Sequence, residues 1–267
     1  MGTRYAALLG VVLMGVLAAC QPATPQANGD PQLTPASEAT SSPSPSAAEP
    51  RPTPSTPPSI PPSTKPSTKP TTCPQGPHQK AVEIALARLG TWGPVTVDGV
   101  QSAEDCRAIK KFQQRFGISP ANGRAGETTN SVAKRLAATN PADCKAGTGL
   151  VACVDLTHQT TYLMQGGKVI WGPTVTRTGM SGFATPSGWF SVFSRADKHW
   201  STPYKVWLPY WQEFYKGDGF HQTTTYIHDM GIGSHGCVNL LPVDARKYYS
   251  TLKTGTKVHL YGRRPGT

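Results

Sequence analysis

The chain has 267 residues, among them 26 Lys or Arg and 15 Asp or Glu, which gives a formal net charge of +11 at pH 7. This length allows two domains once termini and linkers are subtracted. The positive charge favours an acidic partner, with a generally solvated basic surface as the alternative.

The segment 1–20 is typical of a secretory signal peptide, because Arg4 precedes an apolar run that ends in small residues. The run is too short to span a bilayer. Its last residues, LAAC, resemble the lipobox of bacterial lipoproteins, which implies that Cys20 is acylated and anchors the protein to the outer face of the membrane. An ordinary cleaved signal is the alternative. Export makes nucleic acid an unexpected partner and favours an anionic cell wall or membrane surface.

The remaining cysteines are odd in number, which predicts one unpaired thiol. Exported proteins meet an oxidising compartment, where structural cysteines tend to pair. The cysteines after Cys20 are Cys73, Cys106, Cys144, Cys153 and Cys237. The short separation between Cys144 and Cys153 favours a local disulfide, and Cys73 then pairs with Cys106 by elimination. Cys237 is left as the free thiol.

The segment 21–72 is dominated by Pro, Ser, Thr and Ala and has almost nothing apolar to bury. Such a composition cannot offset chain entropy by forming a core, so we expect an extended, disordered linker. At about 3.1 Å per residue, its reach is on the order of 100 Å. The linker is therefore interpreted as a spacer between the membrane and the folded part of the chain.

The segment 73–144 contains three amphipathic stretches and predicts a small all-α three-helix bundle, whose small core gains from a disulfide. The first stretch ends at Gly90. The second begins with Ser102 and Asp105 in capping-box spacing and ends at Gly117. The third lies near ETTNSVAKRLAA.

The order of VDG, AIKKFQQRFGI and GRAGETT in this segment resembles the peptidoglycan-binding-domain-1-like family of three-helix modules. The resemblance implies that the helical domain binds cell wall glycan, and a structural spacer is the alternative. Cys106, within the second stretch, departs from the usual pattern of that family.

The segment 147–263 changes character and predicts a mainly antiparallel β domain. Short stretches rich in Val, Thr and aromatic residues alternate with glycines and prolines. One helix is expected near PVDARKYYSTL, where Pro242 suits the first helical position. We therefore expect a β-sandwich or barrel-like domain with one or two helices.

The stretch GSHGCVNLL, residues 233–241, surrounds Cys237 with glycine and polar neighbours. A catalytic cysteine reacts as the thiolate, so it needs a nearby base as well as donors for the oxyanion that it creates. Gly236 lets the backbone turn so that its own amide and that of Cys237 point toward one developing charge. Three histidines lie within twenty residues as candidate bases, and spacing alone does not choose among His221, His228 and His235.

SHGCVNL, preceded by a histidine in GFHQ, resembles the catalytic signature of the L,D-transpeptidase (YkuD-type) family. TPSGWFSV and TGTKVHLYG resemble two further segments of that family. The resemblance implies that Cys237 is the nucleophile and His221 the general base. His228 stays open as a base, because His221 lies closer to the motif than the usual interval in the family.

The same resemblance assigns the other residues of the motif. His235 and Gly236 belong to the oxyanion loop, and Ser234 orients that loop by hydrogen bonding. Asn239 stands where many members carry arginine and is grouped with the residues that bind substrate.

The family reaction is acyl transfer on peptidoglycan stem peptides, which serve as donor and acceptor. A thioester forms on the cysteine with release of D-alanine, an amine of a second stem resolves it, and a 3→3 cross-link results. No metal or organic cofactor is expected, and carbapenems are expected to acylate the same thiol. The alternatives are an L,D-carboxypeptidase of the same fold and a non-catalytic wall-binding lipoprotein.

Two further patterns receive other interpretations. His221, His228, His235 and Cys237 lack the short paired spacings of common zinc sites, so no metal site is predicted. A set of aromatic residues is expected mainly in core packing, with a substrate groove as the alternative. The set comprises Trp200, Tyr204, Trp207, Tyr210, Trp211 and Tyr215.

Overall fold

The computed structural model of the chain describes residues 73–223 and 226–267. The predicted signal peptide 1–20, the lipid-anchor residue Cys20 and the linker 21–72 lie outside the described residues. In the part that is described, no helix combines the length and the apolar character needed to cross a membrane.

Three helices occupy the N-terminal part of the described chain: α1 (Gln79–Leu89), α2 (Ala103–Phe116) and α3 (Glu127–Ala138). A capping box starts α2, because Ser102 Oγ accepts the Asp105 amide and the Asp105 carboxylate accepts the Ser102 amide. α1 and α2 end at Gly90 and Gly117, whose φ angles of 67° and 64° lie in the left-handed region that glycine tolerates. Their shared apolar core includes Val82, Leu86, Ile109, Phe112, Val132 and Leu136.

Two disulfides join the cysteines as predicted, so both pairings are confirmed. Cys73 is bonded to Cys106 of α2, with 5.9 Å between their Cα atoms. Cys144, at the end of a short 3-10 helix (Pro141–Cys144), is bonded to Cys153, with a Cα separation of 5.8 Å. Cys237 is the free cysteine of the described part.

The C-terminal part is a mainly β domain, as predicted. Its strands are β1 (Val151–Asp155), β2 (Thr160–Gln165), β3 (Lys168–Arg177), β4 (Gly188–Ser191), β5 (Ser194–Ser201), β6 (Val206–Tyr215), β7 (Asp218–Gln222), β8 (Val238–Leu240) and β9 (Lys257–Tyr261). They follow the order β4-β9-β1-β2-β3-β8-β7-β6-β5. The pairs β1–β9 and β7–β8 are parallel, and the other neighbours are antiparallel.

A fourth helix, α4 (Pro242–Thr251), follows β8 directly and has its proline in the first turn. Ala245 and Tyr248 of α4, and Leu252 directly after it, are buried in the core of the β domain together with Phe220 of β7 and Val238 of β8. α4 thereby covers β7 and β8, the strands that carry the candidate site.

The helical part and the β domain pack against each other through a shared apolar cluster and a buried ion pair. Val175, Ile227 and Leu241 of the β domain belong to the core cluster of the helices. Arg115 of α2 donates two hydrogen bonds to the fully buried Asp244 of α4, at 3.1 and 2.6 Å. We call this contact the interdomain seam.

Candidate active site

The candidate site lies at the end of the two parallel strands β7 and β8. Their register pairs Phe220 with Val238 and His221 with Asn239. Cys237 directly precedes β8, and adjacent strands lie about 4.8 Å apart. Cys237 and His221 consequently line the same cavity, whose volume is about 690 Å³.

Ser234 closes the loop in front of β8. Its hydroxyl donates to the Cys237 carbonyl at 2.6 Å and accepts the Gly236 amide at 3.2 Å. Thr185 holds the same loop from the TPSG segment, because its hydroxyl donates to the Gly236 carbonyl at 2.7 Å. The Gly236 amide, which the sequence suggested as an oxyanion donor, is thus already engaged by a side chain.

Gly236 is required at its position for two reasons. Its φ of +117° lies in the region that side-chain-bearing residues rarely adopt. A Cβ atom built on it would lie 2.0 Å from the Oδ1 atom of Asp218. The glycine therefore lets an acidic side chain contact the backbone next to Cys237.

The Cys237 thiol is protonated at neutral pH in this environment. Burial raises its pKa to about 12, and the charges of Asp218 and Glu213 also contribute to the increase. The sulfur lies 3.8 Å from the Gly217 carbonyl oxygen, to which the thiol can donate a weak hydrogen bond. Ionisation of Cys237 therefore needs an added proton acceptor.

His221 has the protonation state of such an acceptor. Its Nδ1 atom lies 2.9 Å from the Gln222 carbonyl oxygen. A carbonyl only accepts, so Nδ1 carries the proton and Nε2 keeps a lone pair. The side chain is buried, and this burial lowers its pKa, so the ring is neutral at pH 7.

His228 points away from the cavity. Its Nε2 atom lies 2.7 Å from the Phe116 carbonyl oxygen at the end of α2, so it contributes to the interdomain seam. Burial lowers the pKa of His228, as do the nearby charges of Arg135 and Arg177. His228 is not among the residues that line the cavity around Cys237.

Because His228 points away from the cavity, the four residues considered as zinc ligands do not all meet there. Over residues 73–223 and 226–267, no group of three His, Cys, Asp or Glu side chains is arranged to hold a metal ion.

His235 and Asn239 both line the cavity but differ in their surroundings. The exposed His235 ring stacks on Tyr204 at 4.2 Å between centroids and meets the edge of Phe183 at 4.6 Å. Asn239 is fully buried, and its Nδ2 atom donates to the Tyr226 hydroxyl at 2.9 Å. Its Oδ1 atom has no hydrogen-bond partner within the described ranges.

The hairpin of β5 and β6 forms one wall of the cavity and divides the aromatic set that the sequence placed mainly in the core. Trp200, Tyr204, Trp207 and Trp211 line the cavity. Tyr210 and Tyr215 pack against the core of the β domain instead. His199, on the same hairpin, stacks on Trp211 at 4.9 Å. On β6, alternation places Tyr210 on the face opposite Trp207 and Trp211. Tyr215 shares their parity, but a register irregularity between Glu213 and Tyr215 intervenes.

Two acidic residues of the cavity, Glu213 and Asp218, were not selected from the sequence. Burial raises the pKa of Asp218 to about 6, and the charge of Glu213 adds to the effect. A single aspartate in a glycine-rich turn belongs to no motif. The one available signal is that Asp218 begins the strand that carries His221.

Replacing Asp218 with asparagine is expected to stabilise the protein at neutral pH but not at pH 4. The pKa of Asp218 rises on folding from 3.8 to about 6. Ionisation of Asp218 is therefore less favourable in the folded protein than in the unfolded chain. The wild type loses stability for this reason as the pH rises above about 4, and the loss is complete above about pH 6. Melting temperatures of both proteins from pH 4 to 8 measure this difference. An equal difference at pH 4 and pH 8 would contradict the assignment.

Two family models match the chain. The YkuD L,D-transpeptidase catalytic domain matches residues 150–260, and a peptidoglycan binding domain matches residues 75–132. No curated protein sequence matches the chain significantly.

Solved structures are similar to it as well. The L,D-transpeptidase of Stackebrandtia nassauensis is 53% identical, with 73% of this chain and 96% of that chain covered and a TM-score of 0.71. An L,D-transpeptidase of Mycobacterium smegmatis is 22% identical, with 42% and 58% covered and a TM-score of 0.38. That of Xylanimonas cellulosilytica is also 22% identical, with 71% and 97% covered and a TM-score of 0.44.

The similarity to the Stackebrandtia protein covers nearly all of that chain and extends beyond the catalytic domain. Because identity is high over this length and the catalytic-domain model matches the part that holds Cys237, the chain belongs to the L,D-transpeptidase family.

Proposed function

We propose that the protein is a cysteine-dependent L,D-transpeptidase that forms 3→3 cross-links between peptidoglycan stem peptides. The observation that carries this proposal is the pairing of β7 with β8, which brings the thiol of Cys237 and the neutral imidazole of His221 to one cavity. A nucleophile beside a general base is the arrangement that acyl transfer requires.

The first half-reaction forms a thioester on Cys237. His221 Nε2 accepts the thiol proton as the sulfur attacks the carbonyl between the third residue of the donor stem and its terminal D-alanine. The tetrahedral intermediate then collapses, the C–N bond breaks, and His221 returns the proton to the leaving amine of D-alanine. Both side chains are neutral beforehand, because burial raises the pKa of Cys237 and lowers that of His221. The proton therefore moves during the attack.

The second half-reaction transfers the acyl group to an amine of the acceptor stem. The amine nitrogen attacks the thioester carbon, the C–S bond breaks, and the amine proton passes through His221 to the sulfur. No step requires a metal or an organic cofactor. The product is an amide that links the third residues of two stems.

The loop before β8 supplies the surroundings of the reacting carbonyl. Ser234 holds the loop through hydrogen bonds to Gly236 and Cys237. We assign stabilisation of the developing oxyanion to the loop formed by His235 and Gly236, with the Cys237 amide as its donor, because Ser234 Oγ already accepts the Gly236 amide. We assign contact with substrate to Asn239, whose Oδ1 atom is unpaired within the described part. An amide donor aimed at a developing charge lowers the barrier of the reaction.

The rest of the chain is consistent with an enzyme that works in the cell wall. We propose a lipoprotein signal peptide at 1–20, lipid anchoring at Cys20 to the outer face of the cytoplasmic membrane, a linker at 21–72, a wall-binding helical domain at 73–144 and a catalytic domain at 147–263. Binding of glycan by the helical domain raises the local concentration of stem peptides near the cavity. The +11 net charge favours residence at an anionic wall.

The proposal is tested by the intact mass of the protein after exposure to a carbapenem, followed by turnover of a tetrapeptide stem. We expect one covalent adduct on the wild type and none on Cys237→Ala. With stem peptide as donor and acceptor, we expect dimers and free D-alanine. A wild type without any adduct would refute the enzyme and favour a non-catalytic wall-binding lipoprotein, whereas D-alanine release without dimers would identify a carboxypeptidase.

A further inference from the structure

Two carboxylates face the nucleophile of the candidate active site without a neutralising partner. Asp218 contacts Gly236, the residue before Cys237, and lines the cavity together with Glu213. The ion pairs of the described part include neither carboxylate. Lys216 belongs to the same turn, but its ammonium lies above the Tyr215 ring, 5.4 Å from the centroid.

When no cation is bound in the cavity, these two carboxylates disfavour the negatively charged species that the reaction forms. Negative charge beside the thiol disfavours the thiolate. Burial is the main cause of the raised pKa of Cys237, and the charges of Asp218 and Glu213 add to it. A carboxylate beside the oxyanion loop also disfavours the tetrahedral intermediate. Glu213 is held in place because its Oε1 atom accepts the Gly217 amide at 2.9 Å. The negative charge is therefore a built feature of the cavity, and a bound cation would remove its cost.

The acceptor in the proposed reaction is such a cation, because an aliphatic amine is an ammonium ion at neutral pH. It must also approach the thioester on Cys237 to within bonding distance. We infer that Asp218, supported by Glu213, recognises the acceptor ammonium and positions it beside the acyl-enzyme, so that the enzyme prefers a cationic amine over water. This inference rests on the proposed function and adds a residue that determines specificity.

The proton balance follows from the positions of these groups. The ammonium hydrogen-bonds to Asp218 and gives up one proton to this carboxylate, which passes it to water. A carboxyl with its pKa raised to about 6 accepts that proton more readily than an ordinary aspartate does. The free amine then attacks the thioester carbon, the C–S bond breaks, and the second proton reaches the sulfur through His221.

The experiment compares two nucleophiles on the preformed acyl-enzyme of Asp218→Asn and of the wild type. Meso-diaminopimelate supplies a cationic amine, and hydroxylamine is uncharged at neutral pH. We expect Asp218→Asn to slow transfer to diaminopimelate by about 10- to 100-fold, the range of a lost charged hydrogen bond, and to leave transfer to hydroxylamine unchanged. Glu213→Gln is expected to give a smaller loss with the same selectivity.

Glu104→Gln is the matched control, because it removes one exposed carboxylate from α2, outside the cavity. We expect wild-type rates with both nucleophiles. Carbapenem acylation of Asp218→Asn, at the wild-type rate or faster, reports that the variant is folded. Unchanged transfer to diaminopimelate would overturn the inference, and so would an equal loss with hydroxylamine or a loss of acylation. A wild type that forms no acyl-enzyme would instead refute the proposed function.

Discussion

Replacing His221 with alanine is expected to slow acylation of Cys237 by about 10²- to 10⁴-fold, the usual contribution of a general base. The Nε2 atom of His221 carries the lone pair that can accept the proton of the Cys237 thiol, whose pKa is raised to about 12. Without it, the thiol proton must pass to water. The rate of adduct formation with a carbapenem, followed by intact mass, measures the loss.

His228→Ala is the comparison that separates the two candidate bases. His228 bonds the Phe116 carbonyl and does not line the cavity, so its loss is expected to lower stability while acylation stays near the wild-type rate. Normal acylation of His221→Ala together with a loss in His228→Ala would assign the base to His228.

Replacing Asp244 with alanine is expected to lower the free energy of unfolding by about 3–5 kcal/mol, because the groups that donate to its buried carboxylate would be left without a partner. Asp244 accepts two hydrogen bonds from Arg115, one from Trp171 at 2.8 Å and one from Thr174 at 2.6 Å. All of these donors would lose their acceptor at once. Urea unfolding of the protein measures the change.

The control is an exposed ion pair on α2, the helix whose Arg115 donates to Asp244. Glu104 and Arg107 of α2 form a pair with side chains 50% and 63% exposed. Because solvent screens such pairs, Glu104→Ala is expected to change stability by less than about 1 kcal/mol. Equal effects of Glu104→Ala and Asp244→Ala would show that the buried pair contributes nothing special to the seam.

The disulfides and the free thiol were predictable from the sequence because counting and loop length constrain them. Cys144 and Cys153 are only 9 positions apart, and an odd total leaves one cysteine over. The mainly β character of the second domain was predictable as well, since short alternating stretches bounded by glycine and proline carry that signal.

The surroundings of Cys237 were not predictable, because they depend on strand register and on turns. His221 and His228 are both near the motif in sequence, and only the pairing of β7 with β8 places the first of them beside it. Asp218 contacts Gly236 across a turn for which no sequence pattern gives the geometry.

The interdomain seam was not predictable from the sequence for a different reason. Leu241 stands between β8 and α4, outside any periodic element, so no sequence pattern indicates which domain covers it. In the structure it lies in the core cluster of the helices, together with Val175 and Ile227. Contacts between segments far apart in the chain leave no periodic signal of their own.

The seam also bears on which strands of the wall the enzyme joins. A shared cluster and a buried ion pair fix the helical domain on the catalytic domain. Under the proposed function, a glycan strand held by the helices presents its stem peptides to Cys237 at one distance and one angle, set when the protein folds. Cross-links are then expected between strands of one lateral spacing, so that the enzyme selects its partners by the geometry of the wall as well as by their chemistry.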